Sequence, residues 1–99
     1  MIRRSVSYAP EALDDLSSLY DWIEGRTSPE TAFSYMARLL AHLESFDLGA
    51  ERGTRRDDIR PGLRIVGFER RVTIAFAVDE TRVLILRLFY GGANWIEVI

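Results

Sequence analysis

The sequence predicts an α+β fold: an N-terminal strand, an antiparallel helical hairpin, then a three-stranded antiparallel meander, with both helices packed on one face of the sheet. Three observations carry this reading. Two successive segments place apolar residues at helical spacing, and each opens with a proline. Three later segments are short, rich in β-branched and aromatic residues, and joined by tight connections. No internal repeat, low-complexity run or linker interrupts the 99 residues, so the chain reads as one domain, 1–99.

Each element follows from local chemistry. "IRRSVSY" alternates weakly through Ile2, Val6 and Tyr8, as a short strand does. In "APEALDDLSSLYDWIEG", Pro10 suits the first helical turn, and Leu13, Leu16, Tyr20 and Ile23 recur at helical spacing, with Leu19 and Trp22 widening the stripe. Asp14 and Asp15 lie near the helix start, where the dipole favours negative charge, and Gly25 is the expected stop. In "TSPETAFSYMARLLAHLESFDLG", Ser28 caps and Pro29 takes the first turn. Ala32, Phe33, Met36, Leu39, Leu40, Leu43 and Phe46 then form a stripe that runs to Gly49. The link near Arg26 and Thr27 is short enough to make the helices antiparallel. "AERGTRRDDIRPG" has no periodicity and reads as a basic loop. The strands "LRIVGF", "RRVTIAFAV" and "RVLILRLFY" follow, connected at Glu69 and at Asp79-Glu80-Thr81.

The last hairpin decides where Arg87 lies. A two- or four-residue connection sets Val78 against Val83 and puts Arg87 on the face of Val72, Ile74 and Phe76. A three-residue connection slips the pairing by one and places Arg87 beside Thr73 and Ala75. The first is preferred, because Ala75 and Ala77 then admit close-packed helices over the face of Leu84, Leu86 and Leu88. In either register both faces of the meander are largely apolar, yet one helical hairpin covers only one of them. The other is a candidate binding face, unless the loop after Gly49 and the tail from Gly91 fold over it. Arg64 and Arg87 either frame an anionic or aromatic ligand there or pair with Asp57, Asp58 or Glu97.

Composition excludes several chemistries. Without cysteine there is neither a disulfide framework nor a thiolate metal site. The acid pairs Asp14-Asp15 and Asp57-Asp58 have no histidine at ligand spacing, so no metal or cofactor is expected. All 13 basic residues are arginine, which rules out a Walker-type phosphate loop. The net charge of −2 hides an asymmetry: residues 1–51 hold nine acids against four arginines, and residues 52–99 hold nine arginines against six acids. The longest uncharged apolar stretch, Val72 to Val78, is far short of the ~20 residues that span a bilayer. The N-terminus also lacks the apolar core of a signal peptide, so residence is expected to be cytoplasmic, with no membrane partner. His42, the one histidine, lies near the second helix's apolar stripe and reads as a structural or surface residue.

The segments "YAPEALDDLSSLYDWI", "SPETAFSYMARLLAHLESF", "RPGLRIV" and "VLILRLFYGG", in this order, resemble the RelE/ParE superfamily of toxins from bacterial type II toxin–antitoxin modules, the ParE branch in particular. The likeness runs from about Tyr8 to Trp95. It implies a RelE/ParE-like fold and a toxin held inactive by a cognate ParD-like antitoxin whose C-terminal segment buries apolar surface. ParE members are linked to poisoning DNA gyrase, and RelE-like members cleave messenger RNA in the ribosome. The family positions that carry over are Arg64 in Gly-Leu-Arg, Arg87 with Tyr90 in the last strand, and Trp95 after it. Antitoxin docking on the hairpin adds Leu16, Leu19, Tyr20 and Trp22 as expected contacts.

The sequence departs from the nuclease pattern. Metal-free cleavage at a 2′-hydroxyl needs a base, an acid and cations on the phosphate. Tyr90 stands where a catalytic histidine would, and a phenol with an ordinary pKa of ~10 is a poor base. Gly91 to Asn94 carries none of the basic residues of nuclease relatives. A pI near 5.4 disfavours direct nucleic-acid binding, although Arg52, Arg55, Arg56, Arg60 and Arg64 form a local basic patch. The primary expectation is therefore a non-catalytic, ParE-like gyrase inhibitor. The alternatives are a ribosome-dependent endoribonuclease using Arg64, Arg87 and Tyr90, and a non-toxic repurposed binding domain.

Overall fold

The structure, a computed structural model, describes residues 2–91. The expectations for Trp95, Glu97 and the tail after Gly91 fall outside the described residues. Strand β1 (Ser5–Tyr8) is followed by helices α1 (Pro10–Arg26) and α2 (Pro29–Glu44) and a 3₁₀ turn, Ser45–Asp47. Strands β2 (Thr54–Arg55), β3 (Leu63–Phe68), β4 (Val72–Val78) and β5 (Arg82–Tyr90) complete one sheet of order β1-β5-β4-β3-β2. The meander is antiparallel throughout, and β1 joins its far edge in parallel, with Val6 against Val83.

The helix ends show which local signals act. Pro10 follows an extended Ala9 and starts α1 without a side-chain cap. Gly25 does not stop the helix; Thr27 does, donating both its backbone N–H and its hydroxyl to the Ile23 carbonyl. Ser28 caps α2 by accepting from the Thr31 amide at 3.1 Å. The regular part of α2 ends at Glu44, short of Gly49, because the chain tightens into the 3₁₀ turn.

The hairpin lies on one face of the sheet, but not on the leucine face. Leu19, Ile23, Leu39 and Leu43 pack with Ile74, Phe76, Val83, Ile85 and Leu88. Two members of the expected α2 stripe point outward: Phe33 is 72% exposed and Leu40 41%. Tyr35 takes a buried place instead, edge-on to Phe68.

The opposite face is closed at its centre. Leu63, Ala75, Leu86 and Phe89 are buried, and Ile59 from the long loop packs against them. Of the two outcomes considered for this face, the loop after Gly49 covers its centre. The loop also supplies β2, two residues paired with β3, too short to leave a periodic signal.

The last hairpin combines both registers considered. Val78 pairs with Val83 and Phe76 with Ile85, but Ala75 pairs with Arg87. Leu86 is thus an extra residue, a bulge, and everything beyond it changes face relative to an unbroken register. Arg87 consequently sits opposite Ala75 and not on the Val72, Ile74 and Phe76 face.

The β3–β4 turn carries two consecutive non-glycine residues in the left-handed region, Glu69 at φ 49° and Arg70 at φ 61°. That geometry costs an L-residue about 1–2 kcal/mol. Arg70→Gly removes the penalty and adds back about half of it as chain entropy. The expected outcome is a melting temperature about 2–5 °C higher in a thermal melt of the purified chain.

Candidate functional site

The side chains singled out by sequence come to rest in three separate places. Arg87 is tied to α1: its Nε donates to Asp15 Oδ2 at 2.7 Å and Nη2 to Oδ1 at 3.1 Å. Asp15 Oδ2 also accepts from the Leu88 amide at 2.9 Å. The reason lies in the sheet edge. β1 ends at Tyr8 opposite Ile85, so beyond that point the edge of β5 has no strand among the described residues to accept its amides. Asp15 accepts in place of the missing strand. The bidentate bond raises the Arg87 pKa further, and the guanidinium also stacks 5.1 Å from the Phe89 ring. An internal carboxylate therefore neutralises Arg87, but it is Asp15, which the sequence reading placed only as a helix-start charge.

Tyr90 lies at another end of the sheet, in a cleft of about 300 Å³ between α1, the start of α2 and the β3–β4 turn. Its ring packs 5.3 Å from Trp22, and Arg26 lies 4.5 Å over the other aromatic's centroid. Leu19, 1% exposed, belongs to the core and touches this cleft as its floor, so it offers no free side chain for docking. Leu16 and Tyr20 are half-buried against the same core. The polar lip consists of Arg38, Glu69 and Arg71. Arg38 grips Glu69 with two hydrogen bonds of 2.9 and 3.0 Å, which lowers the Glu69 pKa and raises that of Arg38.

Arg64 occupies a second cleft, of about 280 Å³, with Arg4, Arg55, Glu51, Asp79 and Glu80. Its Nη1 donates to the Arg52 carbonyl at 3.3 Å. Arg4 is held by the Asp79 carbonyl at 2.7 Å, and Arg55 pairs with Asp57 at 2.8 Å. The basic patch seen in the sequence is thus interleaved with acids. Arg64 pairs with Phe76 and Tyr90 with Val72, four positions apart on β4, or about 13 Å along the strand. The two clefts share no lining residue.

Residues outside the expected sites also shape these surfaces. Leu13, expected in the apolar stripe of α1, is instead 54% exposed and joins Phe33 and Leu40 as outward apolar residues of the hairpin. The signal available was the width of the α2 stripe, more apolar residues than one helix face can bury. Tyr35 left no signal, because a tyrosine at helical spacing reads as ordinary core. Its hydroxyl is buried without a hydrogen-bond partner among the described residues. The same holds for His42 Nε2, whose ring lies 4.9 Å from Phe68 and 5.3 Å from Phe46. Burial, with a contribution from the Arg52 charge, lowers the His42 pKa. Among the described residues no cluster of three or more acidic, histidine or cysteine side chains could hold a metal ion, and no helix is long and apolar enough to cross a membrane.

The chain matches the family model of the ParE toxin of the type II toxin–antitoxin system parDE over residues 6–95. A chain of the chromosomal ParDE toxin–antitoxin system from P. aeruginosa superposes with a TM-score of 0.76 at 25% identity, covering 89% of this chain and 96% of that one. A chain of the RelBE2 toxin–antitoxin complex from Mycobacterium tuberculosis shares the fold, with a TM-score of 0.63 at 17% identity over 94% of this chain and 97% of that one. No curated protein matches the chain in sequence.

Two outcomes follow from this geometry. Asp15→Ala leaves the Arg87 guanidinium and the Leu88 amide without their acceptor and should destabilise the chain by about 2 kcal/mol in urea unfolding. Asp15→Ala combined with Arg87→Leu should recover part of that loss. His42 is kept neutral by folding, so its contribution to stability is full above the unfolded pKa of ~6.5 and is lost as pH falls below it. Urea midpoints measured at pH 7.5 and 5.5 should differ for the parent chain and differ less for His42→Phe.

Proposed function

The chain belongs to the family of ParE toxins of type II toxin–antitoxin systems, and from that premise we propose that it is a single-domain cytoplasmic toxin that inhibits DNA gyrase by binding and is neutralised by a ParD-like antitoxin. The observation that carries the non-catalytic part of this reading is the dispersal of Arg64, Arg87 and Tyr90. A nuclease needs proton donors, acceptors and cations around one phosphate. Here Arg87 is neutralised by Asp15, Tyr90 packs on Trp22, and Arg64 lies in the other cleft. The acidic balance, with a pI near 5.4, supports the same reading, because RNA binding depends on neutralising phosphates.

For the antitoxin, the hairpin offers Leu13, Phe33 and Leu40, large apolar side chains that the fold leaves in water. An amphipathic segment of the antitoxin would anchor on them through its own apolar face. Arg64 pairs with no carboxylate among the described residues and is the assigned contact for the target, together with Trp95.

Induced expression without antitoxin tests the target: DNA breaks with an SOS response are expected, whereas codon-phased cuts in transcripts would transfer the assignment to an endoribonuclease, and unaffected growth to a non-toxic domain. Phe33→Ala with Leu40→Ala should weaken antitoxin affinity at least tenfold in a titration while leaving the thermal melt unchanged.

A further inference from the structure

The cleft beside Tyr90 contains a group that the fold itself does not use. Tyr35 is 7% exposed, and its hydroxyl has no hydrogen-bond partner among the described residues. A hydroxyl buried in that way is unfavourable for the free chain. Its surroundings are the charges of Glu69, Arg71 and Arg38, the three groups that form the polar lip of the cleft. Glu69 is already satisfied by Arg38, whereas Arg71 is exposed and forms no ion pair among the described residues. The lip is held in place by the turn whose two residues, Glu69 and Arg70, have left-handed backbone. Strain of this kind persists where the surrounding structure over-determines it and gathers at ligand clamps.

The other walls are apolar and aromatic: Trp22, Ile23, Tyr90 and the ring of Tyr35. A volume of about 300 Å³ is at the small end of ligand sites and suits one large side chain. Glu69 is the one acid among the described lining residues, set against Arg38 and Arg71, with Arg26 over Trp22 at the rim. The entrance therefore favours negative charge.

We infer that this cleft is a socket for one aromatic or large aliphatic side chain in an acidic stretch of the antitoxin, with a neighbouring carboxylate or main-chain carbonyl accepting from the Tyr35 hydroxyl and pairing with Arg71. The inference rests on the antitoxin reading above and adds the chemistry by which the partner is recognised. Burial and the Glu69 charge keep the Tyr35 phenol protonated, so it enters the contact as a donor. Arg71, exposed and without an ion pair among the described residues, is the member of the lip left to pair with the acceptor.

Two measurements test this together. Antitoxin expressed from the neighbouring reading frame is titrated against the parent chain, Tyr35→Phe and Arg71→Glu, with Arg55→Ala in the other cleft as control. Affinity is expected to fall about fivefold for Tyr35→Phe and at least tenfold for Arg71→Glu, the latter loss shrinking as salt rises. The free Tyr35→Phe chain should melt no lower than the parent, which a purely structural tyrosine would not allow. In parallel the tripeptide N-acetyl-Glu-Trp-Glu-amide, at millimolar concentration, should shift the NMR signals of the Tyr35 ring and the Arg71 guanidinium. If the antitoxin binds the parent and both variants equally, the socket is refuted and the antitoxin reading stands. If no antitoxin binds while the tripeptide shifts those signals, the socket stands and the antitoxin reading falls. If the tripeptide leaves Tyr35 and Arg71 unmoved and no antitoxin binds, both fall.

Discussion

Much of this molecule depends on the mismatch between a four-residue β1 and a nine-residue β5. The parallel partner ends at Ile85, and the Ala9 amide makes the last main-chain bond to it. Past that point the amides of β5 face an edge with no strand among the described residues, and an unpaired amide in a partly buried place is costly. Asp15, one turn into α1, supplies the acceptor for Leu88 and fixes the helix against the sheet at the same stroke. Arg87 follows from this, since a part-buried carboxylate requires a cation. The extra residue at Leu86 lets Arg87 come opposite Ala75 at this edge while Leu88 joins the helix-side core.

That one irregularity puts Arg87 on the sheet face opposite to Arg64, while Tyr90, three residues further on, returns to the face of Arg64 but four positions away along β4. With the bulge, Tyr90 packs with the helix-side core and meets Trp22; Phe89 takes the other side and buries with Leu63 and Ala75. Arg87 is neutralised inside the fold. Arg64, on the far side of β4 and toward the opposite end, donates to the Arg52 backbone carbonyl and to no carboxylate among the described residues. The molecule thus presents two unlike surfaces. One is aromatic, with a lip of arginines; the other alternates arginines and carboxylates around Arg4 and Arg64. Different surfaces suit different partners, as a toxin with both a target and an antidote requires.

Sequence periodicity revealed the elements and their order because each rests on local chemistry: Pro10 and Pro29 at helix starts, the Ser28 cap, and β-branched runs between short turns. The outcome at Arg87 was hidden for a different reason. A bulge is decided by which edge needs an acceptor, and that need arises only once β1 has docked and stopped. What covers the second sheet face was left open for the same reason. Ile59 sits in a stretch without periodicity, so nothing local marks it as a residue that packs on Leu63 and Ala75. The outward positions of Phe33 and Leu40 were half readable: the stripe was visibly too wide, but which of its members Tyr35 would displace depends on Phe68, more than 30 residues away. Of the residues lining the Tyr90 cleft, the sequence reading had singled out Tyr90, Trp22 and Leu19 but not Tyr35, Arg38, Glu69 and Arg71, which meet because a tight turn faces the hairpin.

The places where the chain breaks local rules are therefore informative. Glu69 and Arg70 occupy positions that Asn and Gly fill at lower cost, the Tyr35 hydroxyl has no partner among the described residues, and Phe33 and Leu40 stand in water. Each is unfavourable for a free domain of 99 residues, whose net stability is a small difference between large terms. These lie on the hairpin or on the turn that faces it, while Ile2 and Leu48 stand in water at the other side, beside Arg4 and Glu51. A protein whose resting state is a complex does not need its free form to be optimal, because a ligand that binds only the folded chain adds its own stabilisation. The partnerless Tyr35 hydroxyl and the outward Phe33 and Leu40 are features that a ligand on the hairpin side would offset by binding the folded chain alone.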